Sequence, residues 1–461
     1  MKPKADAASL RAKQSTLIGD SHAPLLLDFI DKSHPLALLA DRIDWSSFEP
    51  HWDKHFGNAD GPHASSARLV AGLLMLKHME ALSDERLVAT WVRDPYMQYF
   101  CGETHFRHDP PIYPSTLGRW RKKLGEEGME YLLSTVLNSA IKMGALKAQS
   151  CAHVCVDSTV MEKNITWPTD SKLLVKVLNQ MVRLMQKQGL SIRQSYSRTA
   201  ARMAQQIARY AHAKQFKRMR RLLKALQTRV GRVMRELKRQ LTHLDELTRA
   251  QAEQLIAQAQ QIIAQAANPK LKHKLYSLHE EDVDCISKGK ARQRYEFGVK
   301  VGITTTQKEG FVLGMRSYPG NPYDGHTLDD LLQQATTISA VEIKTVAVDL
   351  GYRGRHDTKA KVIHRGRQLS KREKRRLRRR SGLEAMIGHM KQDGLLDRCP
   401  LKGKEGDAIH ALLCGIGHNL RLMMNFLREQ LREVKLGVIL SMLRRLLSVL
   451  VLMRGYELAV A

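Results

Sequence analysis

Six cysteines in 461 residues are too few and too scattered for a disulfide framework. Cys151 and Cys155 fall in an extended, β-branched run. At about 3.3 Å per residue they stand roughly 13 Å apart, too far for a disulfide or a shared metal ion. Reduced thiols in a cytoplasmic protein are the expectation. Long apolar runs are also missing: the longest, 436–453, is broken by Arg444 and Arg445, and a membrane helix needs about 20 uninterrupted apolar residues. Lys2 and Lys4 are followed by no compact apolar core with a small-residue cleavage site, so no secretion signal is expected. Acid is in deficit too. The chain has 75 Lys and Arg against 46 Asp and Glu, a formal charge of +29. A hydrophobic share of 43% still permits a core. The charge therefore argues for a polyanionic partner, because Lys and Arg that neutralise phosphates release counterions. Anionic membrane is the alternative, and the lack of an apolar span weakens it.

At about 150 residues per domain the length suits some three domains or one domain with large insertions. Residues 1–60 carry short apolar stretches, Leu25–Ile30 and Leu36–Ile43, and read as an N-terminal helical arm of small helices. Residues 61–150 read as a helical unit. Ser65 and Ser66 can cap a helix bearing Leu69, Leu73, Leu76 and Met79, and Ser83 starts a second that ends at Asp94-Pro95. Ser115 opens a short basic helix, 115–125, with Arg119, Arg121, Lys122 and Lys123. Such a trio could be a helix-turn-helix placing Arg119, Arg121 and Lys122 on DNA, or an ordinary bundle with a solvated basic face.

A strand at 152–162 follows, and then 171–267 turns almost purely helical, with no proline before Pro269. Leu222, Leu226, Val230, Val233, Leu237, Leu241 and Leu244 recur at helical spacing, which predicts a long hairpin or short coiled coil. Strands are expected at 294–306 and 311–319 around the turn Gln307–Gly310, a helix over Thr327–Thr337, and a short apolar strand at 344–352. Eleven Lys and Arg crowd 361–380, a helix is predicted from Ser381, and the tail 406–453 predicts two apolar helices. A C-terminal helix is expected in 431–461.

Two acids sit at or near the ends of apolar strands: Asp157 in HVCVDST and Asp349 in TVAVDLGY. A buried carboxylate is costly without a cation or hydrogen bonds. One could be a strand-end turn former, but two in a protein of charge +29 point to a cation site, at the sheet edge where strand ends converge. Glu384 is a third. Arg380 is its i−4 neighbour, and Lys391 at i+7 returns to within about 20° of it on a helix of 100° per residue. The competing view is that Ser381-Gly-Leu-Glu384 forms a capping box. The basic stripe and the upstream acids favour a functional carboxylate. Three carboxylates beneath a polycation suit phosphodiester chemistry. Paired Mg²⁺, or Mn²⁺, bind hard oxygen ligands and keep positions open for water and phosphate.

These residues resemble the DDE-type insertion-sequence transposases, the "insertion sequence five" family above all. That family's Tyr-x2-Arg-x3-Glu-x6-Lys pattern falls on Leu377, Arg380, Glu384 and Lys391, with leucine in place of tyrosine. Asp-x-Gly-Tyr matches Asp349, Gly351 and Tyr352, while 154–159 with 165–174 looks like the first-acid region. The segments 288–302 and 318–327 also look typical, so the likeness spans roughly 60–430. It implies an α/β, ribonuclease-H-like catalytic domain in 151–170 and 271–430, a mixed five-stranded sheet with flanking helices, carrying Asp157, Asp349 and Glu384 as metal ligands, with the helical block 171–270 as an insertion. It also implies nicking at element ends and attack of the freed 3′-OH on target DNA. DNA would be the partner, terminal inverted repeats and target alike, held by a homodimer, with Arg380 and Lys391 near the reacting strand. Trp167 is either a base-stacking residue or a packed core tryptophan. A domesticated DNA-binding protein without catalysis, or a nuclease that cuts without joining, are the alternatives.

Overall fold

The computed structural model describes residues 24–48, 50, 52, 66–287, 294–354, 357–365 and 368–460. Most of the expected N-terminal arm and the first half of the 288–302 segment thus lie outside the described residues.

The N-terminal region is helical: α1 (Leu26–Phe29), α2 (Pro35–Arg42), α3 (Ala67–Met79), α4 (Asp84–Trp91), α5 (Pro95–Phe100) and α6 (Pro114–Lys142). Ser66, Ser83 and Asp94 cap α3, α4 and α5 through their side-chain oxygens. The basic segment 115–125 is the first part of α6, which runs on past a kink at Gly125 (φ 63°). It is therefore not a free-standing short helix.

Strand β1 (His153–Lys163) begins the α/β region. The chain then leaves for four helices, α7 (Asp170–Lys187), α8 (Ser197–His212), α9 (Phe216–Arg239) and α10 (Glu246–Ala267). These close on a core of their own, with Leu174, Leu178 and Met181 against Leu226, Val230, Val233 and Ile262. The predicted hairpin or coiled coil is thus a compact helical bundle. Its apolar stripe stops at Leu237, because α9 ends at Arg239 and Leu241 belongs to a tight 3-10 turn.

After the bundle come β2 (Asp284–Ser287), β3 (Tyr295–Thr306), β4 (Val312–Tyr318), α11 (Asp324–Ser339), β5 (Thr345–Ala347), β6 (Lys361–Ile363), α12 (Lys371–Asp393), β7 (Arg398–Cys399) and α13 (Gly403–Val460). The β3–β4 hairpin turns through Gly310, whose φ of +77° suits glycine. β3 runs antiparallel to β1 and β4, whereas β5 lies parallel to both β1 and β6. The order β4-β3-β1-β5-β6, an antiparallel meander followed by parallel strands, is the ribonuclease-H-like arrangement. Two short strands enlarge the five-stranded sheet to seven: β2 follows β4 along the outer edge of β3, and β7 follows β5 along β1.

Two further expectations need correction. The helix predicted from Ser381 begins ten residues earlier, at Lys371, so much of the basic run is helical. The tail is one continuous helix from Gly403 to Val460. No proline interrupts Asn419–Met453, Gly437 is its one glycine, and the charged residues between the two apolar stretches extend a helix as readily as they end one.

Strand parity divides the core. Val154 and Val156 pack with the N-terminal helices, α11 and much of α13. Cys155 and Met161, on the other face, pack with Ala347 and with Leu383, Ile387 and Met390 of α12. The last three recur at i, i+4 and i+7, one face of a helix. They fasten α12 over β1 and β5.

Candidate active site

The register of β1 with β5 brings the first two acids level. Cys155 pairs with Ala347 in the parallel ladder. Two residues further on each chain stand Asp157 and Asp349, on the same face by strand parity. Here the sheet opens, since β5 pairs only with residues 153–155 of β1 and β7 only with 162–163. Asp157 thus lies within β1, not at its end. Asp349 lies just past β5, where its Oδ1 accepts a 2.9 Å bond from Gly351 N and caps a 3-10 turn. A Cβ on Gly351 would come within 3.0 Å of Asp349 Oδ1 and 3.3 Å of Asp324 Oδ2, so a side chain there would push both carboxylates back by a few tenths of an ångström.

Glu384 comes from the middle of α12. The capping-box reading of Glu384 is overturned: the box that forms joins Ser370 and Glu373 at the true start of the helix. Arg380, one turn before Glu384, draws the acids together. Its Nη2 donates to Asp157 Oδ2 at 2.9 Å and lies 3.8 Å from Asp349 Oδ2, while its Nη1 lies 3.8 Å from Glu384 Oε1. One guanidinium touches all three carboxylates. The environment is graded. Asp157 is 14% exposed, Asp349 40% and Glu384 70%, so the cluster rises from the sheet toward solvent. Burial raises the Asp157 carboxyl above its ordinary range, Arg380 opposes that, and the neighbouring acids add to it.

Behind the acids lies a network the sequence reading passed over. Ser158 Oγ donates to Asp324 Oδ1 at 2.9 Å, and Lys300 Nζ reaches the same oxygen at 3.1 Å. Tyr352 is buried beside Asp324, Asp157 and Asp349, and burial with these charges drives its hydroxyl well above the usual range. Both Lys300 and Asp324 sit inside the two typical-looking segments, 288–302 and 318–327, which was the available signal.

The remaining candidates scatter. Lys391, two turns beyond Glu384, is partly exposed. Arg119 and Lys122 are exposed on α6. Arg121 is not a surface contact: it is 5% exposed, and its guanidinium grips Asp84 of α4. On α6 it faces inward with Leu117 and Leu124, which sequence spacing alone would have suggested. Trp167 is 55% exposed, its ring edge-on to Phe297 at 4.9 Å, so it is no packed core residue. His78, His410 and Cys414 also approach one another closely enough to hold a metal. Burial lowers both imidazoles, His410 to about 4, and raises the thiol, so with no ion bound all three side chains are neutral.

Among the described residues no helix is long and apolar enough to cross a membrane. Residues 24–123 match a family described as a transposase domain (DUF772), and residues 273–420 match the transposase DDE domain. A Rhizobium meliloti protein described as an uncharacterized protein, ORF8 in the nfe locus, is 42% identical over 187 residues, covering 41% of this chain and 90% of the relative. No solved structure matches the chain. With a ribonuclease-H-like sheet and acids gathered on one face of it, the chain belongs to the DDE insertion-sequence transposases.

Proposed function

We propose that the protein cuts the ends of its DNA element and joins the freed 3′-OH to target DNA, with Asp157, Asp349 and Glu384 holding divalent metal. The observation that carries this reading is the single guanidinium among the three carboxylates. A site that collects three acids around one cation is built for positive charge. Its donors are hard oxygens, which fit Mg²⁺, or Mn²⁺ in its place. Two such ions, when bound, supply an activated nucleophile and neutralise the leaving oxygen of an in-line displacement.

The chain's own residues do the rest. Asp157, held by β1 and bonded to Ser158 N at 2.8 Å, is the fixed ligand. Asp349 is aimed by the turn it caps, and Glu384, on the solvent side of α12, closes the third side. Lys300 and Asp324 brace Ser158 and so the strand beneath Asp157. Exposed Arg119 and Lys122, with Lys391 near the site, hold the DNA backbone. Two element ends must be handled together, and a homodimer on DNA meets that need.

The test is incubation with DNA bearing the terminal repeats and Mg²⁺ or Mn²⁺, comparing the parent with Asp157→Ala, Asp349→Ala and Glu384→Ala. Cleavage and joined products are expected from the parent alone. Full cleavage by any one purified variant would remove that residue from the triad. Binding without cleavage in every ion would leave a DNA-binding protein, and cleavage without joined products a nuclease.

A further inference from the structure

North of the acids along β1 and α12 lies a second concave surface, a cavity of about 380 Å³. Six cations line it: Lys147, Lys308, Arg372, Arg375, Arg376 and Arg379, with no acid in the wall. An adjoining cavity shares His153, Arg372 and Arg376 and adds Lys344 and Lys361, the latter paired with Glu373 at 2.6 Å. The floor is built. Arg376 Nη1 donates to Thr345 Oγ1, and its Nη2 lies 3.1 Å from His153 Nε2. His153 Nδ1 lies 3.0 Å from the same Thr345 hydroxyl. Burial and the surrounding cations lower the His153 pKa, so its imidazole stays neutral and accepts from Arg376. The guanidinium is thereby oriented in advance. Four of the other cations, Lys147, Lys308, Arg372 and Arg375, are exposed at the rim.

A cavity with this charge and a preset floor recognises phosphate oxygens. Its distance from the acids is fixed twice. His153 precedes Asp157 by four strand residues, about 13 Å. Arg372 precedes Arg380 by eight helical residues, about 12 Å. Neighbouring phosphates of one strand rise about 3.4 Å along the duplex axis but stand roughly 6–7 Å apart through space, so either span is about two nucleotides. We propose that this cavity is a phosphodiester subsite that grips the DNA strand about two nucleotides from the reacting phosphate. The inference rests on the strand-transfer reading for that register, and on the cavity alone for the binding.

The experiment uses the full chain and the triple variant Lys147→Ala/Lys308→Ala/Arg375→Ala, whose exposed side chains can be removed without opening the core. Equal melting temperatures establish that it folds. Duplex affinity is measured against salt concentration, and the variant's log–log slope is expected to be shallower by about 0.9 for each cation removed. In a second arm, single phosphates of an element-end duplex are replaced by neutral methylphosphonate. The parent should lose affinity for a replacement one to three nucleotides from the cut, on the roughly 6–7 Å spacing, and the variant should be indifferent there. A third arm titrates inorganic triphosphate. An unchanged slope with an unchanged phosphate scan overturns the subsite, as does triphosphate binding that alone responds to the triple substitution. If no DNA is cut but the slope still falls, the subsite stands and the strand-transfer reading fails.

Discussion

Replacing Arg380 by methionine should make the protein bind divalent ions more tightly while it loses DNA cleavage. In the structure the guanidinium holds the positions an entering ion needs. The bond to Asp157 is 2.9 Å long at a carboxylate only 14% exposed, and a charge-assisted bond of that kind contributes about 1.5–3 kcal/mol. Glu384, 3.8 Å away and 70% exposed, adds at most ~1 kcal/mol. An ion must take these oxygens from Arg380, so removing the competitor raises the apparent affinity about 10- to 100-fold, at 1.4 kcal/mol per tenfold. Electron paramagnetic resonance titration with Mn²⁺, on protein without DNA, reads this independently of cleavage. With a chelator present the variant should also melt lower than the parent, because Asp157 then lies buried without its cation. Mn²⁺ should restore much of the loss. Unchanged or weaker ion binding would refute the reasoning: Arg380 would then be a brace that shapes the ligands, not a rival for them.

Other contacts give equally direct outcomes. Arg121→Ala should cost about 2–4 kcal/mol in denaturant unfolding, because it strips a buried partner from Asp84 while Lys77 remains on that carboxylate. Arg119→Ala should leave stability within about 0.5 kcal/mol and instead flatten the salt dependence of DNA binding by about 0.9. Lys163→Met should cost about 3–5 kcal/mol at neutral pH, since Glu280 and Asp407, 2.9 and 2.6 Å from the ammonium, would face each other in the core. Burial already lifts the Asp407 carboxyl from 3.8 to about 6. Its protonated form therefore favours the fold below 3.8, and that contribution is lost as pH rises through about 6. Melting of Lys163→Met should accordingly recover toward the parent on acidification below that value, and a deficit constant with pH would dismiss the charge argument. Trp167→Ala should scarcely move the melting temperature. It should weaken binding to single-stranded or end-distorted DNA by about 1–3 kcal/mol if a base stacks there, and leave it untouched otherwise.

What could be read from sequence was whatever depends on neighbours along the chain. Ser66, Ser83 and the Asp94-Pro95 stop were visible because capping is local. The Gln307–Gly310 turn was visible for the same reason. Asp157 and Asp349 drew attention because a carboxylate in a β-branched, apolar run is chemically out of place. The start of α12 was not visible. Ser370 and Glu373 form a capping box as good on paper as Ser381 and Glu384, and only tertiary packing decides which one begins the helix. The bundle in 170–267 showed its period but not its count, since helical periodicity does not say where a helix folds back on itself. Arg121 was read as a DNA contact and Asp324 was passed over, because their partners, Asp84 and Ser158, are 37 and 166 residues away.

The arrangement has one mechanical consequence. Helix α12 carries the rim cations at 372–379, then Arg380, then Glu384, and it rests on the sheet through Leu383, Ile387 and Met390. Beneath those side chains lie Cys155 and Ala347. These are the residues whose parallel pairing sets Asp157 and Asp349 level two positions later. The distance between the two strand acids and the angle at which the third approaches are therefore governed by one contact, in which two small strand side chains receive an apolar helix stripe. Packing this dense passes small shifts on as rigid displacement instead of absorbing them. Leu377, which stands where the Tyr-x2-Arg-x3-Glu-x6-Lys pattern has tyrosine, is only partly buried and is no part of this stripe. Its identity therefore leaves the seat of α12 on the sheet intact.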